Sequence, residues 1–380
     1  MATILIWMAP ETSHILPTIK LARDLQLLNH KVIYLANRSL HDQLSSFGFL
    51  CYPFLDGILD EASSELYSVT SSSVEWQSIL LGKFPDDPAA AYKAISSNIQ
   101  QAAIAVNADL VLIDGLMNYL YGVSSGDAGR PDWQVGYIQT YLPHIFLRRN
   151  KAQSQRLLSR IHRTVILCPK EIELPHYRNA AGRYAEGCVL LDRGAIEFKW
   201  DWLEPGRKVI YCSLGSQSSL YWQAPQTLRA VIEVAKRMPD YQFVVSAGPH
   251  YKDLHTGDSL PNCGIFKIVP QTCILERVSA MILQGGLGSI KECIYFGVPM
   301  LIVPFVNDQP VNGLRVQRHG LGISMSPDQA ISGGVYNALG QLLNDQLIHT
   351  GVKKMQAVFR EREQENIAAN ICEEFLESNI

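Results

Sequence analysis

The chain lacks the features that would tie it to a membrane or to nucleic acid. No apolar run approaches the roughly 20 residues a spanning helix needs. Charged residues make up 18% of the chain and sum to a formal net charge of -3, so no basic excess exists to meet a phosphate backbone or an anionic bilayer. The eight cysteines are scattered singly, at positions such as Cys51, Cys168, Cys212 and Cys293, without a CxxC pair. That spacing argues against disulfides and zinc sites, and the apolar surroundings predict buried free thiols in a reducing cytoplasm. The opening MATILIWMAP has neither a basic n-region nor a small-residue cleavage site and reads as a first buried strand. Several signatures are missing too. No Lys-Ser/Thr follows a glycine cluster as in a P-loop, no glycine occurs in Ala9–His14 to make a dinucleotide fingerprint, and HExxH is absent.

What remains is 380 residues with 47% apolar content, enough for a soluble protein of about two domains. Thr3–Met8, Lys31–Ala36 and Phe49–Pro53 read as strands, and Ile15–Leu28 carries apolar residues at helical spacing behind a polar loop, Ala9–His14. This alternation predicts a parallel sheet with helices on both faces. Asp60–Ala90, with its serine cluster, interrupts the rhythm as a long excursion of the kind that lines clefts. A helix at Ala91–Val106 and strands at Asp109–Asp114, Trp133–Ile138 and Thr164–Leu167 complete the first half. Glu204-Pro205-Gly206 reads as a linker. Beyond it a second alternation runs through Lys208–Cys212, Tyr241–Ser246, Gly264–Val269, Met281–Leu283, Met300–Val303 and Gly322–Met325. The tail, Leu347–Ile380, is charged and helix-favouring. The expected division is residues 1–203, 204–360, and a terminal helix over 361–380 that packs back on the first domain.

The second half concentrates the polar turns. Met281–Leu283 runs into Gly285-Gly286-Leu287-Gly288, with Ser289 and Glu292 opening a helix. Glycines at a strand-to-helix turn let a backbone approach a ligand, and a helix N-terminus presents free N–H groups to an anion; a tight packing turn would also need glycine. Gly215 and Ser216 follow another strand, and Pro270-Gln271 a third, so three carboxyl strand ends could build a nucleotide-sized pocket. In the first half, His14 follows the first strand and Asp114 ends an apolar one. A histidine held by a carboxylate makes a general base, although either residue could equally cap a helix.

Taken together, His14-Ile15-Leu16-Pro17, Tyr211–Ser216, Val269-Pro270-Gln271, Gly297-Val298-Pro299 and Asp308-Gln309-Pro310-Val311-Asn312 resemble the nucleotide-sugar glycosyltransferases of the UDP-glucuronosyltransferase superfamily, especially the bacterial macrolide and antibiotic enzymes. The resemblance covers nearly the whole chain. It implies a GT-B fold, two facing Rossmann-like domains, with the acceptor on the first and the nucleotide sugar on the second. His14 would be the base and Asp114 its partner in an inverting, metal-independent displacement without a cofactor beyond the nucleotide sugar. Ser216, Gln284, Gly286, Gly288 and Ser289 would hold the diphosphate, Glu292 the ribose, Val269 and Gln271 the nucleoside, and Asp308 and Gln309 the sugar. Three positions depart from the family pattern: Gln284 stands for its histidine, Ile268 for a base-stacking tryptophan, and Ser13 for a glycine. The Asp308-Gln309 pair favours UDP-glucose or UDP-GlcNAc over a dTDP-sugar. Apolar residues in Leu66–Phe84 and Trp133–Tyr141 suggest a small hydrophobic natural-product acceptor. A nucleotide-sugar epimerase, a cell-wall precursor glycosyltransferase, and a non-catalytic activator with a weakened donor site are the alternatives on this fold.

Overall fold

The computed structural model describes residues 1–9, 12–54, 88–115, 133–142, 163–175, 182–193, 197–254 and 260–377. The chain forms two compact units. One comprises Met1–Lys170, Pro175–Leu190 and Arg362–Ile380; the other comprises Glu171–Leu174 and Leu191–Glu361. The proposed acceptor-side segment Leu66–Phe84 and most of the Asp60–Ala90 excursion lie outside the described residues.

The first unit is built on a seven-stranded parallel sheet: β1 (Thr3–Trp7), β2 (Lys31–Ala36), β3 (Leu50–Pro53), β4 (Leu110–Asp114), β5 (Gln134–Gln139), β6 (Thr164–Ile166) and β7 (Arg183–Tyr184). Its order is β3-β2-β1-β4-β5-β6-β7. Strands covered on both faces read as unbroken apolar runs, and β4 (LVLID) is buried at every position. Successive side chains point to opposite faces of a strand, which sorts this core into two clusters. Ile4, Ile6, Tyr34, Leu110 and Leu112 face the helices Thr12–Leu27 and Ile367–Glu377. Leu5, Trp7, Ile33, Val111 and Ile113 face the helix Pro88–Val106 through Ile95, Ile99 and Ala103.

The first helix starts at Thr12, three residues before the hydrophobic pattern reveals it. Its opening turn, Thr12-Ser13-His14, buries nothing that periodicity could register, so the segment expected to be loop is helix. The tail divides into the helices Gln346–Arg362 and Ile367–Glu377. The second of these supplies Ala368, Ala369, Ile371, Cys372 and Phe375 to the first unit's core. Gly136 in β5 makes room for it, because a Cβ there would lie 2.7 Å from Phe375 Cδ2 and 2.9 Å from Leu112 Cδ2. Glu186, fully buried, accepts the Ala368 N–H at 2.9 Å at the start of that helix. Carboxylates are favoured at a helix N-terminus.

The second unit carries six parallel strands: β8 (Lys208–Ser213), β9 (Tyr241–Ser246), β10 (Cys263–Phe266), β11 (Val278–Leu283), β12 (Met300–Ile302) and β13 (Gly322–Ser324). Their order is β10-β9-β8-β11-β12-β13. β10 stops three residues short of the expected Val269, leaving Lys267–Val269 to form the loop that carries Ile268 and Val269. Both sheets thus reverse their strand order once, between β1 and β4 in the first unit and between β8 and β11 in the second. In open α/β sheets such reversals leave a crevice at the carboxyl ends of the strands.

Candidate functional site

At the reversal point of the first sheet, β4 ends in Asp114 and the turn after β1 leads to His14. The side chains meet across 100 residues of sequence, with His14 Nδ1 2.7 Å from Asp114 Oδ2. Asp114 is fully buried and His14 is 12% exposed. A buried carboxylate is costly without partners, and the same oxygen also accepts the Ala9 N–H at 3.0 Å. A carboxylate can only accept, so Nδ1 carries a proton, and in the neutral ring the lone pair is then on Nε2. Thr140, just past β5, brings its Oγ1 to 3.3 Å from the same Nδ1. Nothing in the sequence signals Thr140; it joins the pair because β5 lies beside β4.

At the reversal point of the second sheet the arrangement is a network. Gln284-Gly285-Gly286 follows β11 and Leu214–Gln217 follows β8. Gly285 has φ +94°, a left-handed conformation that favours glycine, and a Cβ there would lie 2.9 Å from Ile302 Cγ2. The Gln284 side chain covers Gly215, whose absent Cβ would fall 2.2 Å from Gln284 Nε2, so the two strand-end loops are in contact. Gln284 Oε1 is buried without a hydrogen-bond partner. Gly286 caps the helix Leu287–Phe296, so the first-turn N–H groups, among them those of Gly288 and Ser289, have no partners within the helix. A Cβ at Gly288 would meet open space.

Gln271, at the start of the helix Gln271–Leu275, ties this helix to the neighbouring loop. Its Nε2 donates to Ser289 Oγ at 3.1 Å and to Glu292 Oε2 at 2.6 Å. Its Oε1 accepts from the buried Tyr211 hydroxyl at 3.4 Å, a phenol whose acidity burial weakens. Glu292 in turn pairs with Arg193. The structure therefore brings Gln271, Ser289 and Glu292 together, and adds Tyr211 and Arg193 to the predicted set. Ser216 is exposed on the loop after β8. Val269 is buried, while Ile268 beside it is 60% exposed, standing open where the family pattern has its tryptophan.

Asp308 and Gln309 behave differently from each other. Gln309 is buried, and its amide braces its own loop. Oε1 accepts the N–H groups of Phe305 at 2.8 Å and Val306 at 3.1 Å, and Nε2 donates to Tyr221 OH at 2.9 Å. Tyr221 stacks on Phe305 with centroids 4.9 Å apart. Asp308 is partly exposed and accepts from Asn312 Nδ2 at 2.8 Å.

Among the described residues no helix is long and apolar enough to cross a membrane, and no cluster of three or more His, Cys, Asp or Glu side chains could hold a metal ion. All eight cysteines are free thiols, six of them buried, with Cys273 exposed. The sequence also contains one GxSxG run, Gly122-Val123-Ser124-Ser125-Gly126, which lies outside the described residues.

Residues 244–374 match the family model described as "Erythromycin biosynthesis protein CIII-like, C-terminal domain". The putative UDP-glucuronosyltransferase ugt-48 of Caenorhabditis elegans is 28% identical over 167 residues, 43% of this chain and 32% of that protein. The NDP-glycosyltransferase YjiC of Bacillus licheniformis is 29% identical over 174 residues, 46% of this chain and 43% of that protein. The chain thus spans less than half the length of these curated relatives. Among solved structures, the glycosyltransferase of kitacinnamycin has TM-score 0.75 at 20% identity over 98% of both chains. The spinosyn rhamnosyltransferase SpnG, solved with thymidine diphosphate, has TM-score 0.71 at 16% identity over 100% of both. Residues 244–374 are thus similar to an EryCIII-like C-terminal domain, part of the chain is similar to UDP-glucuronosyltransferases and NDP-glycosyltransferases, and the whole has the GT-B fold of the solved glycosyltransferases.

Proposed function

We propose that this protein is an inverting, metal-independent glycosyltransferase that moves a hexose, glucose or GlcNAc, from a UDP-sugar to a hydroxyl of a small hydrophobic natural product. The observation that carries this reading is the His14–Asp114 pair, in which a buried carboxylate holds the imidazole so that Nε2 keeps its lone pair. In this mechanism Nε2 takes the proton of the acceptor hydroxyl as its oxygen attacks the anomeric carbon. The bond from that carbon to the diphosphate breaks, and the nucleoside diphosphate leaves with the electron pair. Asp114 stabilises the imidazolium as it forms, and general-base assistance of this kind supplies about 10²–10⁴-fold in rate.

The first unit binds the acceptor and the second the nucleotide sugar. The first-turn N–H groups at Gly288 and Ser289, with Gly286 and Ser216, receive the diphosphate, and the positive end of the helix Leu287–Phe296 offsets the charge developing on the leaving group. Glu292, held between Arg193 and Gln271, accepts from the ribose hydroxyls. The loop backbone at Val269 meets the base beside Gln271, and Asp308 and Gln309 bind the sugar, Gln309 through the amide hydrogen it has left. No cofactor takes part besides the nucleotide sugar, which is a co-substrate. The relatives named for UDP-sugars favour UDP, and SpnG bound to thymidine diphosphate keeps a dTDP-sugar as the second choice. The eight free thiols suit a reducing compartment such as the cytoplasm.

The test is nucleotide release from UDP-glucose in the presence of a hydroxylated polyketide or terpenoid, comparing wild type with His14→Ala. Release that depends on acceptor and on His14 is the expected result. A wild-type protein that binds neither UDP nor dTDP by calorimetry ends the glycosyltransferase reading. Normal turnover by His14→Ala ends the assignment of the base.

A further inference from the structure

We propose that Asn312, anchored by a buried Glu173–Arg315 ion pair, is a positioning residue that sets the glycine turn and Asp308 for a nucleoside diphosphate sugar. The inference rests on the function proposed above and adds three residues that touch no substrate themselves. Glu173 is 0% exposed, Arg315 1% and Asn312 1%. Arg315 Nε donates to Glu173 Oε1 at 2.8 Å and its NH2 to Oε2 at 3.0 Å, a bidentate fork that fixes the guanidinium plane. Its NH1 donates to Asn312 Oδ1 at 2.9 Å. Asn312 Nδ2 then donates one hydrogen to the Gly285 carbonyl at 2.9 Å and the other to Asp308 Oδ2 at 2.8 Å.

Every member of this chain has its role forced by chemistry. A carboxylate only accepts and a guanidinium only donates, so the Asn312 atom facing Arg315 must be its oxygen. The amide nitrogen must therefore face the Gly285 carbonyl and Asp308, which both accept. The consequence reaches the turn itself. The peptide linking Gly285 to Gly286 is planar and trans, so its C=O and N–H point in opposite directions. Holding the Gly285 carbonyl toward Asn312 aims the Gly286 N–H the other way. At φ +94° a glycine peptide has wide freedom, and this bond removes it. One amide thus sets a phosphate-side donor and a sugar-side carboxylate together.

Stability alone does not account for the arrangement. A buried ion pair is often no more stabilising than well-packed apolar residues of similar volume, whereas its removal by halves is strongly destabilising. What the pair supplies is direction.

Two variants test this, with UDP and UDP-glucose as probes. Asn312→Asp has the same shape and still pairs with Arg315, but turns an acceptor toward Gly285 and Asp308. The expected result is a native circular-dichroism spectrum, with the Kd for UDP and the KM for UDP-glucose raised about tenfold or more and the acceptor KM within about twofold. The double variant Glu173→Leu/Arg315→Met replaces the pair by apolar side chains; it should keep the wild-type Tm and still show the raised donor KM. A purely structural role would instead lower Tm and the active fraction and leave the donor KM alone. Donor Kd and KM within twofold of wild type in either folded variant overturn the proposal. If wild type itself binds neither UDP nor dTDP, this proposal falls together with the functional reading. Normal wild-type binding with indifferent variants removes this proposal alone.

Discussion

The two units solve the same topological problem with different chemistry. Each sheet reverses its strand order once and leaves a crevice there. Among the described residues, the first unit furnishes the crevice with a buried carboxylate, a histidine 2.7 Å away, and a threonine hydroxyl. In the second it is furnished by glycine backbone, a helix N-terminus and an amide network through Gln271, Ser289 and Glu292. Under the function proposed above, the first set has one proton to move, which needs a single oriented lone pair. The second would hold a polyatomic anion and a nucleoside, which needs many donors, each worth little alone, and a backbone that can come close.

The contrast can be broken most severely by His14→Ala. It should lower turnover by about 10²–10⁴-fold while leaving the Kd for UDP unchanged, because His14, the proposed base, lies in the other unit. Gln271→Ala should do the reverse. The Glu292 carboxylate and Ser289 hydroxyl lose their shared donor, so the donor KM should rise roughly tenfold to a hundredfold, with acceptor KM unmoved in steady-state kinetics. Gly136→Ala should touch neither crevice. Its methyl collides with Phe375 and Leu112, so thermal unfolding should show a loss of about 1–3 kcal/mol with UDP binding intact.

Gln284→His sharpens the comparison more gently. A protonated imidazole would make charge-assisted bonds to a diphosphate, about twice as strong as those from an amide, so calorimetry should show UDP binding a few-fold tighter at slightly acid pH. Unchanged affinity would mean residue 284 does not touch the phosphates.

The smallest effect concerns pH and falls on both units alike. Burial pushes the thiols of Cys51 and Cys372 in the first unit, and Cys212, Cys263 and Cys293 in the second, above their ordinary range, Cys51 to about 11 and Cys263 to about 12. Unfolded thiols ionise near about 8.5, so above that pH the unfolded chain releases protons the folded one retains. The stabilisation is whole below about pH 8.5 and erodes as pH climbs from there toward the folded values. Tm measured from pH 8 to pH 10 should fall steadily, and a Tm that rises over this range would contradict the burial of these thiols.

Much of this was legible in order along the chain. Unbroken apolar runs such as LVLID announce a strand covered on both faces, and the Gln284–Ser289 glycine turn announces a close backbone approach, because both signals are local. His14 and Asp114 were also marked, each by its place at a strand end. The first turn of the helix at Thr12 was not, since residues that bury nothing leave no periodic trace. Asp308, Asn312 and Arg315 recur at helical spacing on one face, yet nothing local says what Arg315 faces. Its partner, Glu173, lies 142 residues away.

By itself, the sequence determined two successive parallel sheets and the strand-end turns on which chemistry could sit, because backbone preference and hydrophobic period act over a few residues. Tertiary structure alone decided which of those turns meet. It placed Asp114 against His14, Gln284 over Gly215, and Glu173 behind Arg315, because strand order and side-chain burial are settled only when the whole sheet closes its core.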